Sequence, residues 1–198
     1  MLILTFAAIA YGLQGCNQGT KTADDSVEYA HEQNERIEDA SREGASEFER
    51  GINLESNKDA DFAVEAVSAG LAEVNAGKIA QEKATNPRVK EFSAQMVEEH
   101  TRATEELRAL ATDKDIVVPA APGQNELQEI ADLNAEEGAE FDKEYINLIA
   151  NDQNDVIDLY EDAVENVEDP EIREFASRTL ALLKANVEEA KAIEESLE

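Results

Sequence analysis

From Asp61 to the C-terminus, apolar residues recur every three or four positions, and the stripes they draw are too narrow to hold a lone helix in water. Such rods persist only by burying those stripes against one another, at about 25 cal/mol per Å² of apolar surface removed from water. The first rod is expected over about Asp61–Thr85, with Phe62, Ala66, Ala69, Gly70, Val74, Gly77 and Ala80 on one side, small enough for a neighbour to approach closely. Asn86-Pro87 opens the second as an N-cap followed by the proline favoured in the first helical turn, and Val89, Phe92, Met96, Ala103, Leu107 and Leu110 form its stripe. A third, about Ala139–Val167, carries Phe141, Tyr145, Ile149, Val156, Tyr160 and Ala163. Asp169-Pro170 repeats the cap-plus-proline start, and Ile172, Phe175, Thr179, Leu182, Ala190, Ile193 and Leu197 line the fourth.

Between the second and third rods, Asp113–Gly123 holds two prolines and the apolar triplet Ile116-Val117-Val118, which reads as a crossing loop that packs part of itself down; a short helical piece, Asn125–Asn134, is expected to follow. Alternation with period two is missing over strand-length windows. The expected fold is therefore all-α, an antiparallel up-down-up-down four-helix bundle over residues 58–198. Asn86-Pro87-Arg88-Val89-Lys90-Glu91-Phe92 echoes Asp169-Pro170-Glu171-Ile172-Arg173-Glu174-Phe175, which predicts two similar hairpins with their tight turns at the same end.

Residues 1–15 are mostly apolar and too short to span a bilayer, which takes about 20 apolar residues. They read as a secretory signal, although no Lys or Arg precedes the run. Leu13-Gln14-Gly15-Cys16 resembles a bacterial lipobox, which implies cleavage before Cys16, acylation there, and attachment to the cell envelope, at an outer membrane facing the periplasm or the cell surface. Several acyl chains hold a protein at a membrane where one does not. Residues 16–57 are polar and acidic and are expected to act as a tether, partly helical over Glu28–Glu49, with His31 as an incidental surface histidine.

The chain has 17 Lys and Arg against 46 Asp and Glu, a net charge of −29, which disfavours nucleic acid as a partner and opposes self-association. Cys16 is the single cysteine, so no intrachain disulfide forms and the fold rests on apolar burial. A Gly-x-Ser-x-Gly elbow, a phosphate-binding glycine loop and a His-Glu-x-x-His site are all missing, and Asn151-Asp152-Gln153-Asn154-Asp155 lacks the glycine and closing glutamate of a calcium loop. No catalytic residue is assigned.

Four polar residues interrupt the apolar stripes: Glu73 between Gly70 and Gly77, His100 one turn after Met96, Gln153 between Ile149 and Val156, and Asn186 between Leu182 and Ala190. Glu73 is 14 residues before Pro87 and His100 13 after it, while Gln153 is 17 before Pro170 and Asn186 16 after it. At about 1.5 Å per residue, all four fall within one helical turn of the same depth. Buried polar groups cost about 1–3 kcal/mol each unless partnered, so they are expected to bond to one another as a layer that fixes helix register. The competing reading is a metal or ligand site, with Glu73 and His100 the weak candidate ligands. Against it, Gln153 and Asn186 offer neutral oxygens alone, and Val97 stands where a Glu-x-x-His di-iron pattern needs glutamate.

Taken together, Phe62-Ala63, Gly70-Leu71-Ala72-Glu73-Val74, Gly77-Lys78-Ile79-Ala80, Val89-Lys90-Glu91-Phe92, Met96-Val97-Glu98-Glu99-His100, Glu106-Leu107, Leu110-Ala111, Phe141-Asp142-Lys143-Glu144-Tyr145 and Phe175-Ala176 resemble the bacterial envelope proteins of domain of unknown function 4142. The resemblance covers about Asp61–Ala192 and implies a ferritin-like four-helix bundle. Histidines usual in that family are replaced here by Gln153 and Asn186, and its Leu-Pro by Leu180-Ala181, so only Glu73 and His100 carry over. The leading expectation is a non-catalytic envelope module that binds a partner or small molecule or supports stress tolerance, without a resident cofactor. The alternatives are a ferritin-like oxidase or metal store using Glu73 and His100, and a structural or surface-interaction lipoprotein.

Overall fold

A computed structural model describes residues 24–43 and 57–197. The expected leader over 1–15 and the acylation candidate Cys16 lie outside the described residues, as does the remainder of the acidic stretch. Among the described residues the chain is all-helical, with no strand. The elements are α1 Asp24–Glu43, α2 Lys58–Lys83, α3 Pro87–Asp113, α4 Gln124–Ala135, α5 Gly138–Asn147, a π-helical turn Leu148–Asp152, α6 Gln153–Asn166 and α7 Pro170–Glu194. The third rod expected from periodicity is thus α5 and α6, joined through the π turn. No described helix is long and apolar enough to cross a membrane.

The helix starts follow local chemistry. Asn86 accepts from Arg88 N at 2.9 Å and Asp169 from Glu171 N and Ile172 N at 2.9 and 3.1 Å, each ahead of a proline whose missing N–H removes one of the orphan donors of the first turn. Carboxylates from other helices close both turns. Asp142, 2% exposed, accepts from Thr85 N and Asn86 N at 2.9 Å each and from Thr85 Oγ1 at 2.5 Å. Asp59 accepts from Glu168 N at 2.8 Å and Asp169 N at 3.2 Å. Gly138 opens α5 at φ 64°, a left-handed conformation that suits a residue without Cβ.

These same bonds correct the predicted topology. Asp142 stands near the start of α5 and reaches the turn at the end of α2, whereas Asp59 stands at the start of α2 and reaches the turn at the end of α6. The two tight turns therefore lie at opposite ends, and the order along α2, α3, α5–α6 and α7 is up, down, down, up rather than up-down-up-down. Lys83 at the top of α2 bonds Asn134 O at 2.6 Å and Glu137 at 2.9 Å, so the segment holding α4 carries the chain back to the end where α3 began. At the other end Lys114 bridges Asp169 and Glu171 at 2.7 Å each. The turn echo is local: it specifies a capped helix start, and says nothing about which end of the molecule that start occupies.

Two apolar clusters fill the interior. One gathers Ala80, Phe92, Met96, Phe141, Tyr145 and Ile193; the other gathers Phe62, Leu107, Tyr160, Ile172, Phe175 and Leu183, with Phe62 edge-on to Tyr160 at 5.0 Å between centroids. The crossing loop contributes Ile116 and Val118 to the second cluster. Leu183 rather than the expected Leu182 is the fully buried leucine of α7.

The partly helical segment of the tether region packs on the body through α1. Asn34 makes a two-bond clasp on Val117, donating to its O at 2.9 Å and accepting from its N at 2.8 Å. Ser26 Oγ accepts from Ala120 N at 2.9 Å. His31 meets Glu65 at 3.1 Å and Asp61 at 3.5 Å on α2, which makes it a docking residue of α1 rather than the incidental surface histidine expected.

Candidate functional site

Close approach of α2 and α3 sets up the interior site. A Cβ on Gly77 would come within 2.7 Å of Val97 Cγ2 and 3.3 Å of Ser93 O, and one on Gly70 would press into the Thr104 hydroxyl. Glu73 sits between these two glycines, so its carboxylate is carried onto α3 where His100 stands.

The structure brings Glu73, His100, Gln153 and Asn186 into one connected cluster between the two apolar clusters. Glu73 Oε2 pairs with His100 Nδ1, and Glu73 Oε1 accepts from Gln153 Nε2 at 2.7 Å. Asn186 Nδ2 lies 3.5 Å from His100 Nε2 and 3.2 Å from Glu99 Oε2. His100 and Gln153 are each 3% exposed and Asn186 is 1% exposed, while the Glu73 side chain retains 11%. The shared depth was expected by counting from turns at one end; with the turns at opposite ends the residues still meet, because each lies near the middle of its rod.

Burial opposes a charge on His100, but the Glu73 carboxylate, by charge and hydrogen bond, and Glu99 by charge outweigh it, and the imidazole pKa is raised from its ordinary 6.5. In the neutral ring, Nδ1–H faces Glu73 and Nε2 accepts from Asn186. Protonation turns Nε2 into a donor, so Asn186 must then present its Oδ1 and release Glu99. Burial, then the Glu73 charge, pushes the hydroxyls of Tyr145 and Tyr160 far up, which keeps both as neutral phenols.

Two polar atoms in this region, Tyr145 OH and Gln153 Oε1, are buried without a hydrogen-bond partner. Gln153 and Glu73 also line a cavity of about 80 Å³ between α2, α4 and the π turn with α6. Its apolar wall is Ala72, Ala76, Ile130, Leu148 and Val156, and Glu126 and Glu129 of α4 complete it. Sequence reasoning missed Glu99, Tyr145 OH and the α4 contribution. The first two carried no signal, since an exposed-looking glutamate and a core tyrosine match ordinary patterns; the acidic face of α4, Glu126 and Glu129 three apart, was visible.

As a metal site the donor set is poor. Both Glu73 oxygens are engaged by His100 and Gln153, and among the described residues no group of three or more His, Cys, Asp or Glu converges.

Residues 49–193 match the family described as Domain of unknown function (DUF4142). The chain belongs to the DUF4142 family. Among solved structures, this DUF4142 chain is similar to a DUF305 protein from Streptomyces coelicolor, described as secreted, at a TM-score of 0.55 and 12% identity, covering 71% of this chain and 90% of that one. At that identity the likeness speaks for the helical fold alone. No curated protein matches the chain.

Proposed function

We propose that this DUF4142 chain is a non-catalytic, lipid-anchored envelope module, built as a ferritin-like four-helix bundle, that binds a small molecule beside its interior polar cluster. The observation that carries the binding reading is Gln153. It is a nearly sealed side chain that lines a cavity, spends its amide nitrogen on Glu73, and leaves its oxygen without a partner. Buried orphan acceptors are rare and costly, by about 1–3 kcal/mol, and a ligand donor offsets that cost. The single crossover connection between α3 and α5 supports the ferritin-like assignment, since ferritin-like bundles use one such crossing. The Leu-x-Gly-Cys pattern ending at Cys16 supports an envelope location.

Binding is tested by a nuclear magnetic resonance screen of small metabolites against the full chain. At least one compound should shift the Gln153 side-chain amide saturably, and Ala72→Leu, which fills the cavity wall, should remove the effect. A screen in which nothing reaches Gln153 counts against the reading; stoichiometric iron, zinc or manganese lost in His100→Ala favours the metal-store alternative. Anchoring is tested by Cys16→Ser, which should move the protein out of the membrane fraction, and retention there contradicts it.

A further inference from the structure

The chemistry of the cavity narrows what it takes. Gln153 has its amide orientation fixed by Glu73, because a carboxylate accepts and so the Nε2 must face it at 2.7 Å. The group left over is therefore an acceptor, Oε1, on a side chain 3% exposed. Three carboxylates, Glu73, Glu126 and Glu129, line the same cavity with no Lys or Arg among its lining residues. Glu73 is paired with His100, and Glu126 also accepts from Ser68 Oγ at 3.1 Å. The rest of the wall is apolar, with Ala69, Ala72 and Ala76 leaving the space.

An anion meets carboxylates, and a purely apolar guest leaves Oε1 unpaired. A hard metal ion such as calcium wants about six to eight oxygens, and no three-ligand acidic or histidine group converges among the described residues. A cation that carries N–H donors on a short apolar stem satisfies every surface at once. We propose that the cavity is a receptor for a small primary alkylammonium ion, its N–H donating to Gln153 Oε1, its charge held by the Glu126 and Glu129 side and its stem lying on the alanine wall. About 80 Å³ is several times the roughly 10–15 Å³ that admits one water, which suits a stem of a few carbons. Oε1 is closed to solvent, so entry displaces part of the wall; the π turn that supplies Leu148 and Ile149 is the piece placed to yield, π turns being frequent at functional sites. The inference rests on the binding reading above and adds the ligand class.

The test is a titration of the isotope-labelled full chain with n-butylammonium chloride at constant ionic strength, read at the Gln153 amide. Tetramethylammonium, n-butanol and butyrate serve as matched probes without N–H, without charge and with opposite charge. Butylammonium should saturate, the three others should bind at least about tenfold more weakly, and Gln153→Leu and Ala72→Leu should weaken it by a similar factor. Ala72→Leu keeps the assay interpretable where Gln153→Leu perturbs folding, and Glu82→Gln on the exposed side of α2 should leave binding unchanged. Equal binding of tetramethylammonium, or equal weakening by Glu82→Gln, identifies diffuse attraction to an acidic protein and overturns the proposal. Preference for butanol or butyrate at Gln153 overturns the ligand class while the binding reading stands. If no probe reaches Gln153, both fall.

Discussion

The α2–α3 hairpin and the α5–α6–α7 hairpin share a turn and differ in almost everything between. Both turns pair an Asn or Asp cap with proline, and both are closed by a carboxylate from another helix, Asp142 in one case and Asp59 in the other. The first hairpin has two unbroken helices in glycine-mediated contact and carries the charged pair Glu73–His100. The second is interrupted by the π turn and carries the neutral amides Gln153 and Asn186. The difference shows how a buried charge is made tolerable. The ion pair is formed within one closely packed hairpin, and the other hairpin supplies groups that donate or accept without adding charge.

This contrast can be broken at its charged side first. His100→Leu leaves the Glu73 carboxylate largely buried with Gln153 as its remaining donor, and removing one partner of such a pair costs about 3–5 kcal/mol. Residual exposure of Glu73 puts the expected loss at the lower end, about 3 kcal/mol by chemical denaturation at pH 6 with helix content retained. Glu73→Leu combined with His100→Leu should recover most of it. A double variant as unstable as the single one would show that the layer holds the helices by more than charge pairing.

The two turns give a smaller and more discriminating contrast. Asp142→Ala strips three hydrogen bonds from a nearly sealed site and should cost about 2 kcal/mol, whereas Asp59→Ala, at a half-buried site, should cost about 1 kcal/mol. Equal losses would mean the turns are energetically equivalent despite their different burial.

Much of this was legible in the residues. The all-helical class followed from the spacing of apolar positions, both helix starts from cap-plus-proline pairs, and the four-residue polar cluster from single intrusions into otherwise apolar stripes. The order of the rods was not, because a turn motif reports its own hydrogen bonds and carries no information about which end of the molecule it occupies. Length held the missing signal. Residues 84–86 and 167–169 suffice to reverse direction, whereas the stretch from Lys114 to Glu137, containing the 12-residue α4, is long enough to recross the molecule. The burial of α2 on several sides, Ala63, Val64 and Val67 included, likewise pointed beyond a narrow stripe to covering by α1 and α4. Tyr145 OH and the cavity depend on packing at distances no periodicity encodes.

Linkage gives the pair a pH signature. Because the folded-state pKa of His100 is raised above its ordinary 6.5, its stabilisation is complete below that value and is lost as pH rises through the folded-state pKa. Wild-type protein should therefore lose stability on passing from mildly acid to alkaline conditions by more than the doubly substituted Glu73→Leu, His100→Leu chain does.

The most direct measurement is a pH titration of the His100 ring nitrogens by nuclear magnetic resonance, in the wild-type chain and in Glu73→Gln. A midpoint above 6.5 in the wild type, falling once the Glu73 carboxylate is neutralised and the Glu99 charge is left to oppose burial, is the expected result. A midpoint at or below 6.5 in the wild type, or one that Glu73→Gln does not move, would contradict a charged pair at the centre of this fold.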